Sequence, residues 1–128
     1  MSIKCVVVED ALFLREVYRL SLRHEAIEIV AEAEDGIEAL KLISQHQPDL
    51  VILDVVLPLK NGLDVLKELH TLSPLSQCLV VSSLDDEKTI TQAKALGALA
   101  YLTKPFTKAA LIQTIQDMMI PLSEVKNG

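Results

Sequence analysis

Apolar and polar positions along the chain switch between two periods. The run "IKCVVV" (residues 3–8) is short, apolar and rich in β-branched residues, which suits a strand. "ALFLREVYRLSLRH" (11–24) then sets Leu12, Val17, Leu20 and Ser21 at helical spacing. The alternation repeats as strand "IEIVAEA" (27–33), helix "DGIEALKLISQH" (35–46), strand "DLVILD" (49–54) and helix "GLDVLKELH" (62–70). It continues as strand "QCLVVSS" (77–83), helix "DEKTITQAKALG" (86–97), strand "LAYLT" (99–103) and helix "KAALIQTIQDMM" (108–119). Five strands alternating with five helices predict an α/β fold, a doubly wound parallel sheet with helices on both faces. The first, third and fourth strands are apolar nearly throughout, as expected of strands buried on both sides. In the last helix Leu111, Ile115 and Met118 are expected inward, with Ile112 displaced from that face. Pro121 is expected to end this helix, leaving residues 121–128 as a C-terminal tail after a single domain of residues 1–120.

A chain of 128 residues holds one hydrophobic core. Half of it is apolar and its net charge is -6, which disfavours direct binding to nucleic acid or to an anionic membrane surface. No apolar stretch approaches the roughly 18 residues that span a bilayer, and no secretory signal opens the chain, so a cytoplasmic location is expected. Cys5 and Cys78 fall inside predicted strands without metal or redox spacing, and are expected as reduced, buried hydrophobes. His24, His46 and His70 sit near helix ends, where a cation-friendly position accounts for them.

Ligands of a doubly wound sheet collect outside the carboxyl ends of its strands. There the first strand ends in Glu9 and Asp10, the third in Asp54, the fourth in Ser82 and Ser83, and the fifth in Thr103, Lys104 and Pro105. Three ionised carboxylates held close together repel unless protons or cations intervene. Lys104 supplies one positive charge, and a divalent cation would balance the rest. Oxygen donors suit Mg2+ better than zinc, which favours His and Cys. With Glu9 and Asp10 on the cation, Asp54 stands alone at its strand end as the candidate nucleophile, since carboxylates can form aspartyl-phosphate. Metal, Lys104 and Ser82 would then hold the phosphoryl oxygens during an in-line transfer. Each residue also has a plainer reading. Glu9 and Asp10 could open a helix at the positive end of its dipole, Asp54 could be a turn acid, and Ser82 and Lys104 ordinary surface groups. It is their joint placement, including the 22-residue separation of Ser82 from Lys104, that favours a site.

Five stretches in order, "VVVEDALFLR", "EAEDGIEAL", "PDLVILDVVLPLKNGLDVL", "VVSS" and "GALAYLTKPF", resemble the receiver domains of bacterial response regulators, the CheY-like superfamily. The resemblance covers essentially the whole chain. It implies a flavodoxin-like fold with strand order 2-1-3-4-5. It also implies that Glu9 and Asp10 bind Mg2+ with Asp54 and the backbone carbonyl of Val56, that Asp54 is phosphorylated, and that Ser82 and Lys104 contact the phosphoryl group. Tyr101 matches the aromatic switch position. Glu9 stands where many members have Asp, Leu57 where Met is common, and Asn61 where Asp is frequent. Val56 and Leu84, two residues beyond Asp54 and Ser82, flank the phosphoryl group in the family; both are apolar here, so slow self-dephosphorylation is expected.

The implied function is a phosphorylation-dependent switch of a two-component system rather than an enzyme acting on other substrates. The expected donors are a histidine kinase, a phosphotransfer protein or a small phosphodonor. The expected reader is a downstream effector or a second copy of the chain, contacted through the surface of helix four, strand five and helix five, with Ile90, Tyr101 and Ile112 as candidate contacts. A pseudo-receiver that binds proteins without being phosphorylated is the alternative. A phosphatase of the haloacid-dehalogenase type would carry its nucleophile on the first strand, and "EDALF" lacks that pattern. A flavodoxin would show a hydroxyl-rich and glycine-rich phosphate loop after the first strand, and more aromatic residues than 3%.

Overall fold

A computed structural model describes the backbone of residues 2–127 and the side chains of residues 2–119. The chain alternates β1 (Ile3–Val8), α1 (Leu12–Leu22), β2 (Ile27–Ala33), α2 (Gly36–His46), β3 (Leu50–Leu53), α3 (Gly62–Leu72), β4 (Gln77–Ser82), α4 (Glu87–Ala95), β5 (Ala100–Thr103) and α5 (Lys108–Asn127). The strands form one parallel sheet in the order β2-β1-β3-β4-β5. This is the flavodoxin-like order that the resemblance implied, built on the parallel sheet that the strand-helix alternation predicted.

The near-continuous apolar strands have a direct cause in this topology. On β1, Val6 and Val8 face one core with Val51, Leu53, Cys78 and Val80, over residues of α2, α3 and α4. Cys5 and Val7 face a second core with Leu50, Ile52, Leu79 and Val81, over residues of α1 and α5. Because side chains alternate along a strand, two covered faces require an apolar residue at every position. The chain reverses direction across the sheet after β2, and right-handed crossovers then put α1 and α5 on one face and the other helices opposite. Both cysteines are buried and free, as expected, and burial pushes the Cys78 thiol up to about 12.

Local sequence explains where helices start. Asp35, Asn61 and Asp86 each accept the backbone N–H of the third residue of α2, α3 and α4, leaving fewer unpaired donors in the first turn. Asn61 is therefore the cap of α3. α1 has no such cap: Ala11 precedes it and offers no side-chain acceptor.

One helix takes a face that its spacing left open, and one expectation about a helix end changes. The buried residues of α1 are Tyr18, Ser21 and Leu22, whereas Leu12 and Leu20 are exposed. This helix carries apolar residues on every side, so periodicity alone selects no unique face; the ring of Tyr18 stacking on Phe106 at 5.7 Å orients it. In α5, Leu111, Ile115 and Met118 are buried as expected, but the helix continues past Pro121 to Asn127. A proline deletes one hydrogen bond of the ladder and leaves those on either side in place. The side chains of the expected tail, residues 121–128, lie outside the described residues.

Candidate phosphoacceptor and metal site

The register of the sheet gathers the strand ends. Val8 pairs with Leu53, Leu53 with Val80, and Ser82 with Thr103, so Glu9, Asp54, Ser82 and Lys104 leave four adjacent strands along one edge. Glu9 and Asp54 are nearly fully buried, while Asp10 is exposed. One carboxylate oxygen from each of Glu9, Asp10 and Asp54 lies within 4.8 Å of the others. The Lys104 ammonium donates to Glu9 Oε1 at 2.6 Å and to Asp54 Oδ2 at 2.8 Å.

Each acid is held by its backbone as well. The other oxygen of Glu9 accepts from the Ala11 N–H at 3.3 Å, and Asp54 Oδ1 accepts from the Val56 N–H at 3.2 Å, which turns the chain after β3 back over Asp54. Gly62 makes that turn possible. A Cβ there would come within 2.0 Å of the Asp54 carbonyl oxygen, so the start of α3 approaches the acid as closely as it does only with glycine. Sequence reading placed Gly62 at the start of a helix and gave it no part in the site; only the approach of α3 to β3 reveals that part.

Charge in the cluster is unevenly matched. Burial raises the Glu9 carboxyl above the usual glutamate value; the hydrogen bond from Lys104 opposes that rise and the charge of Asp54 adds to it. Burial by itself would lower Lys104, but its hydrogen bonds to Asp54 and Glu9 outweigh this and raise it above 10.5. Three carboxylates against one ammonium leave an excess of two negative charges, all on hard oxygen donors, with exposed Asp10 open to water. That donor set fits a magnesium ion, which retains several of its own waters.

The raised Glu9 value has a measurable consequence. The folded state holds the Glu9 proton more tightly than the unfolded chain, so stability falls as pH rises from the ordinary glutamate value through the raised one. Glu9→Gln removes this cost. In metal-free buffer it should raise Tm by about 3 °C near pH 7, the effect of about 1 kcal/mol in a domain of this size. The gain should shrink toward about pH 3, well below the ordinary glutamate value, where Glu9 is protonated in both states. Thermal melts at the two pH values check this, and an equal gain at both would contradict it.

Ser82 is fully buried at the end of β4, and its Oγ accepts from the Leu84 N–H at 3.2 Å. The Tyr101 hydroxyl donates to the Leu84 carbonyl at 2.5 Å, tying β5 to the loop after β4. Val56 and Leu84 are exposed beside the cluster, at 55% and 38%, and form an apolar rim. The Lys104–Pro105 bond is cis. The expected contact patch of Ile90 and Ile112 is not brought together. Ile112 is half-buried against the core under α1 and α5 and lines a cavity of about 280 Å³ with Ile3, Ile27 and Met119, at the opposite end of the sheet from the acids. Its angular offset from Leu111 and Ile115 turns it toward β1 and β2, while Ile90 lies half-buried on α4 across the sheet.

One residue absent from the sequence reading also meets the site. Arg15 of α1 donates from Nη1 to the carbonyls of Glu9 at 2.7 Å and Asp10 at 3.2 Å, and its Nε pairs with Glu32 of β2 at 3.3 Å.

Comparison with known proteins places this geometry. The family of response regulator receiver domains matches residues 5–116. This chain belongs to that family. It is 32% identical to the chemotaxis protein CheY of Halobacterium salinarum over 119 residues, which span 93% of this chain and 98% of that protein. It is 36% identical to the transcriptional regulatory protein PdtaR of Mycobacterium tuberculosis over 113 residues, 88% of this chain but only 55% of that longer regulator. The solved receiver domain of AraT from Geobacillus stearothermophilus superposes with a TM-score of 0.89 at 29% identity, covering 98% of this chain and 99% of that domain. The receiver domain is a signalling switch of two-component systems, and magnesium at an acidic pocket is typical of the family. Among the described residues no helix is long and apolar enough to cross a membrane.

Proposed function

We propose that this receiver domain takes a phosphoryl group onto Asp54 and that the modified chain is read by a protein partner. The observation that carries the reading is the ammonium of Lys104 shared between Asp54 and Glu9 at the mouth of a three-carboxylate cluster. Glu9, Asp10, Asp54 and the Val56 carbonyl would hold Mg2+, which when bound supplies positive charge to the phosphoryl oxygens. An Asp54 carboxylate oxygen attacks phosphorus in line. The new O–P bond forms as the bond from phosphorus to the donor's histidine nitrogen, or to the oxygen of a small acyl phosphate, breaks, and the donor leaves with that electron pair. Lys104 is positioned to follow the developing charge from Asp54 onto a phosphoryl oxygen, and Ser82 to turn its hydroxyl from the Leu84 N–H to another.

The switch follows from what Ser82 and Tyr101 hold. Both hydroxyls contact the backbone of Leu84, so drawing Ser82 toward a phosphoryl group releases one of two tethers on the loop before α4. Phosphorylation then biases two arrangements of the surface built by α4, β5 and α5. That surface is the proposed reading face, with Tyr101 and Ile90 upon it and Ile112 outside it. A histidine kinase or phosphotransfer protein is the proposed donor, and an effector protein or a second copy the proposed reader.

Incubation with Mg2+ and acetyl phosphate, followed by intact mass, tests the reading: one phosphoryl group should be gained per chain. No gain, with no magnesium binding, would point to a domain that works by protein contact alone. The apolar rim adds a second expectation. Val56 and Leu84 present no group to orient an attacking water, so the phosphoryl group should persist for minutes or longer. Val56→Glu should shorten its lifetime by about tenfold, below the roughly hundredfold or more of a fully positioned base, because an exposed side chain at the rim is only partly held. A half-life of seconds in the unaltered chain would show that the rim does not shield the bond.

A further inference from the structure

We infer that Arg15 is a positioning residue for magnesium binding, acting through the backbone that carries Glu9 and Asp10. This rests on the reading of those two acids as the metal's ligands. The loop between β1 and α1 is tied on one side through Glu9, whose N–H donates to the Ala33 carbonyl at 3.0 Å and whose Oε2 accepts from the Ala11 N–H at 3.3 Å, while Ala11 provides no side-chain cap for the helix that follows. On the other side, one guanidinium nitrogen of Arg15 donates to the carbonyls of both acids, at 2.7 and 3.2 Å. Two successive carbonyls aimed at one donor orient two successive peptide planes, and those planes set the directions in which the Glu9 and Asp10 side chains leave the backbone. The guanidinium is itself fixed from the far side by Glu32, 3.3 Å from Nε, and its side chain is only 11% exposed. A planar fork suits this task, because its donors cannot rotate independently.

Arg19 separates the loop contact from the ion pair. It bonds both Glu32 oxygens at 2.6 Å and, among the described residues, makes no contact with the loop carbonyls. Charge and positioning also predict opposite signs. Deleting a positive charge beside an acidic cluster should tighten cation binding. Deleting a group that orients the ligands should weaken it, by about tenfold at the lower end of the range for groups that support metal ligands.

Magnesium titration by calorimetry, with a thermal melt of each protein, tests the inference on the intact chain. Arg15→Met should bind Mg2+ about tenfold more weakly, Arg15→Lys should recover part of the loss by donating to one carbonyl, and Arg19→Met should bind as the unaltered chain does. Unchanged or tighter binding by Arg15→Met overturns the inference, as does an equal loss in Arg19→Met, which would assign the effect to the Glu32 pairing. If Arg15→Met does not fold, Arg15→Lys decides: affinity equal to that of the unaltered chain overturns the inference, and intermediate affinity at unchanged Tm supports it. Failure of the unaltered chain to bind magnesium overturns the reading of the site and this inference together, whereas failure confined to the Arg15 variants overturns this inference alone.

Discussion

Asp54→Asn should abolish phosphoryl uptake from acetyl phosphate, reducing the mass gain from the expected one phosphoryl group to none. The carboxamide keeps the size of the side chain and can still accept from the Val56 N–H, but its oxygen carries no charge with which to attack phosphorus. The loss should not come from unfolding. Asp54 is one of two nearly buried carboxylates sharing a single ammonium, and its charge helps raise Glu9. Neutralising it relieves that repulsion, so the Tm of Asp54→Asn in metal-free buffer should equal or exceed that of the unaltered chain. A phosphoryl group retained at full stoichiometry by this variant would move the acceptor to another residue, and peptide mapping would locate it.

Lys104→Met should slow phosphoryl uptake by about a hundredfold, comparable to deleting one preorganised donor at a developing charge. It should also lower stability in metal-free buffer by about 2 kcal/mol. That is below the cost of unpairing a fully buried ion pair, because Asp10 opens the cluster to water and Glu9 can take up a proton. The pH dependence has a defined sign. The folded state raises Lys104 above 10.5, so its contribution is complete below that value and is lost as pH rises through the raised one. In the variant, the two carboxylates left without their ammonium should make stability improve as pH falls toward about 4. Denaturant melts across that range, with and without Mg2+, check both parts: saturating Mg2+ should reduce the stability difference, because it binds the folded cluster. A variant that phosphorylates at the unaltered rate would show that Lys104 serves the resting charge balance and not the transfer.

The elements of this fold were legible in the sequence because their causes are local. A run such as "VILD" is apolar at each position before its acid, and only burial on both faces makes that pattern stable. Acids and a lysine at strand ends were legible for a related reason: charged residues that interrupt such runs mark where the covered part of the sheet stops. The face of α1 was not legible, since Leu12, Phe13, Leu14, Val17, Leu20 and Leu22 surround that helix and any of several stripes could have faced inward. The direction of Ile112 was likewise settled by a cavity wall that includes Ile3 and Ile27, far from it in the chain. Arg15 reads as one more charged residue on α1, because its partner Glu32 belongs to β2 and nothing local connects them.

By itself the sequence determined the alternation of strands and helices, the two-sided burial of β1, β3 and β4, and which residues stand at the carboxyl edge. These depend on side-chain periodicity and on the intolerance of a dry interior for unpaired charge. Only the tertiary structure decided how those residues share their charges. Lys104 meets Glu9 across 95 residues of chain and Asp54 across 50, and Arg15 grips the backbone of two acids while anchored to a neighbouring strand. Such contacts follow from strand order and register, which bring distant strand ends to within a hydrogen bond of one another, and no property of a local segment specifies them.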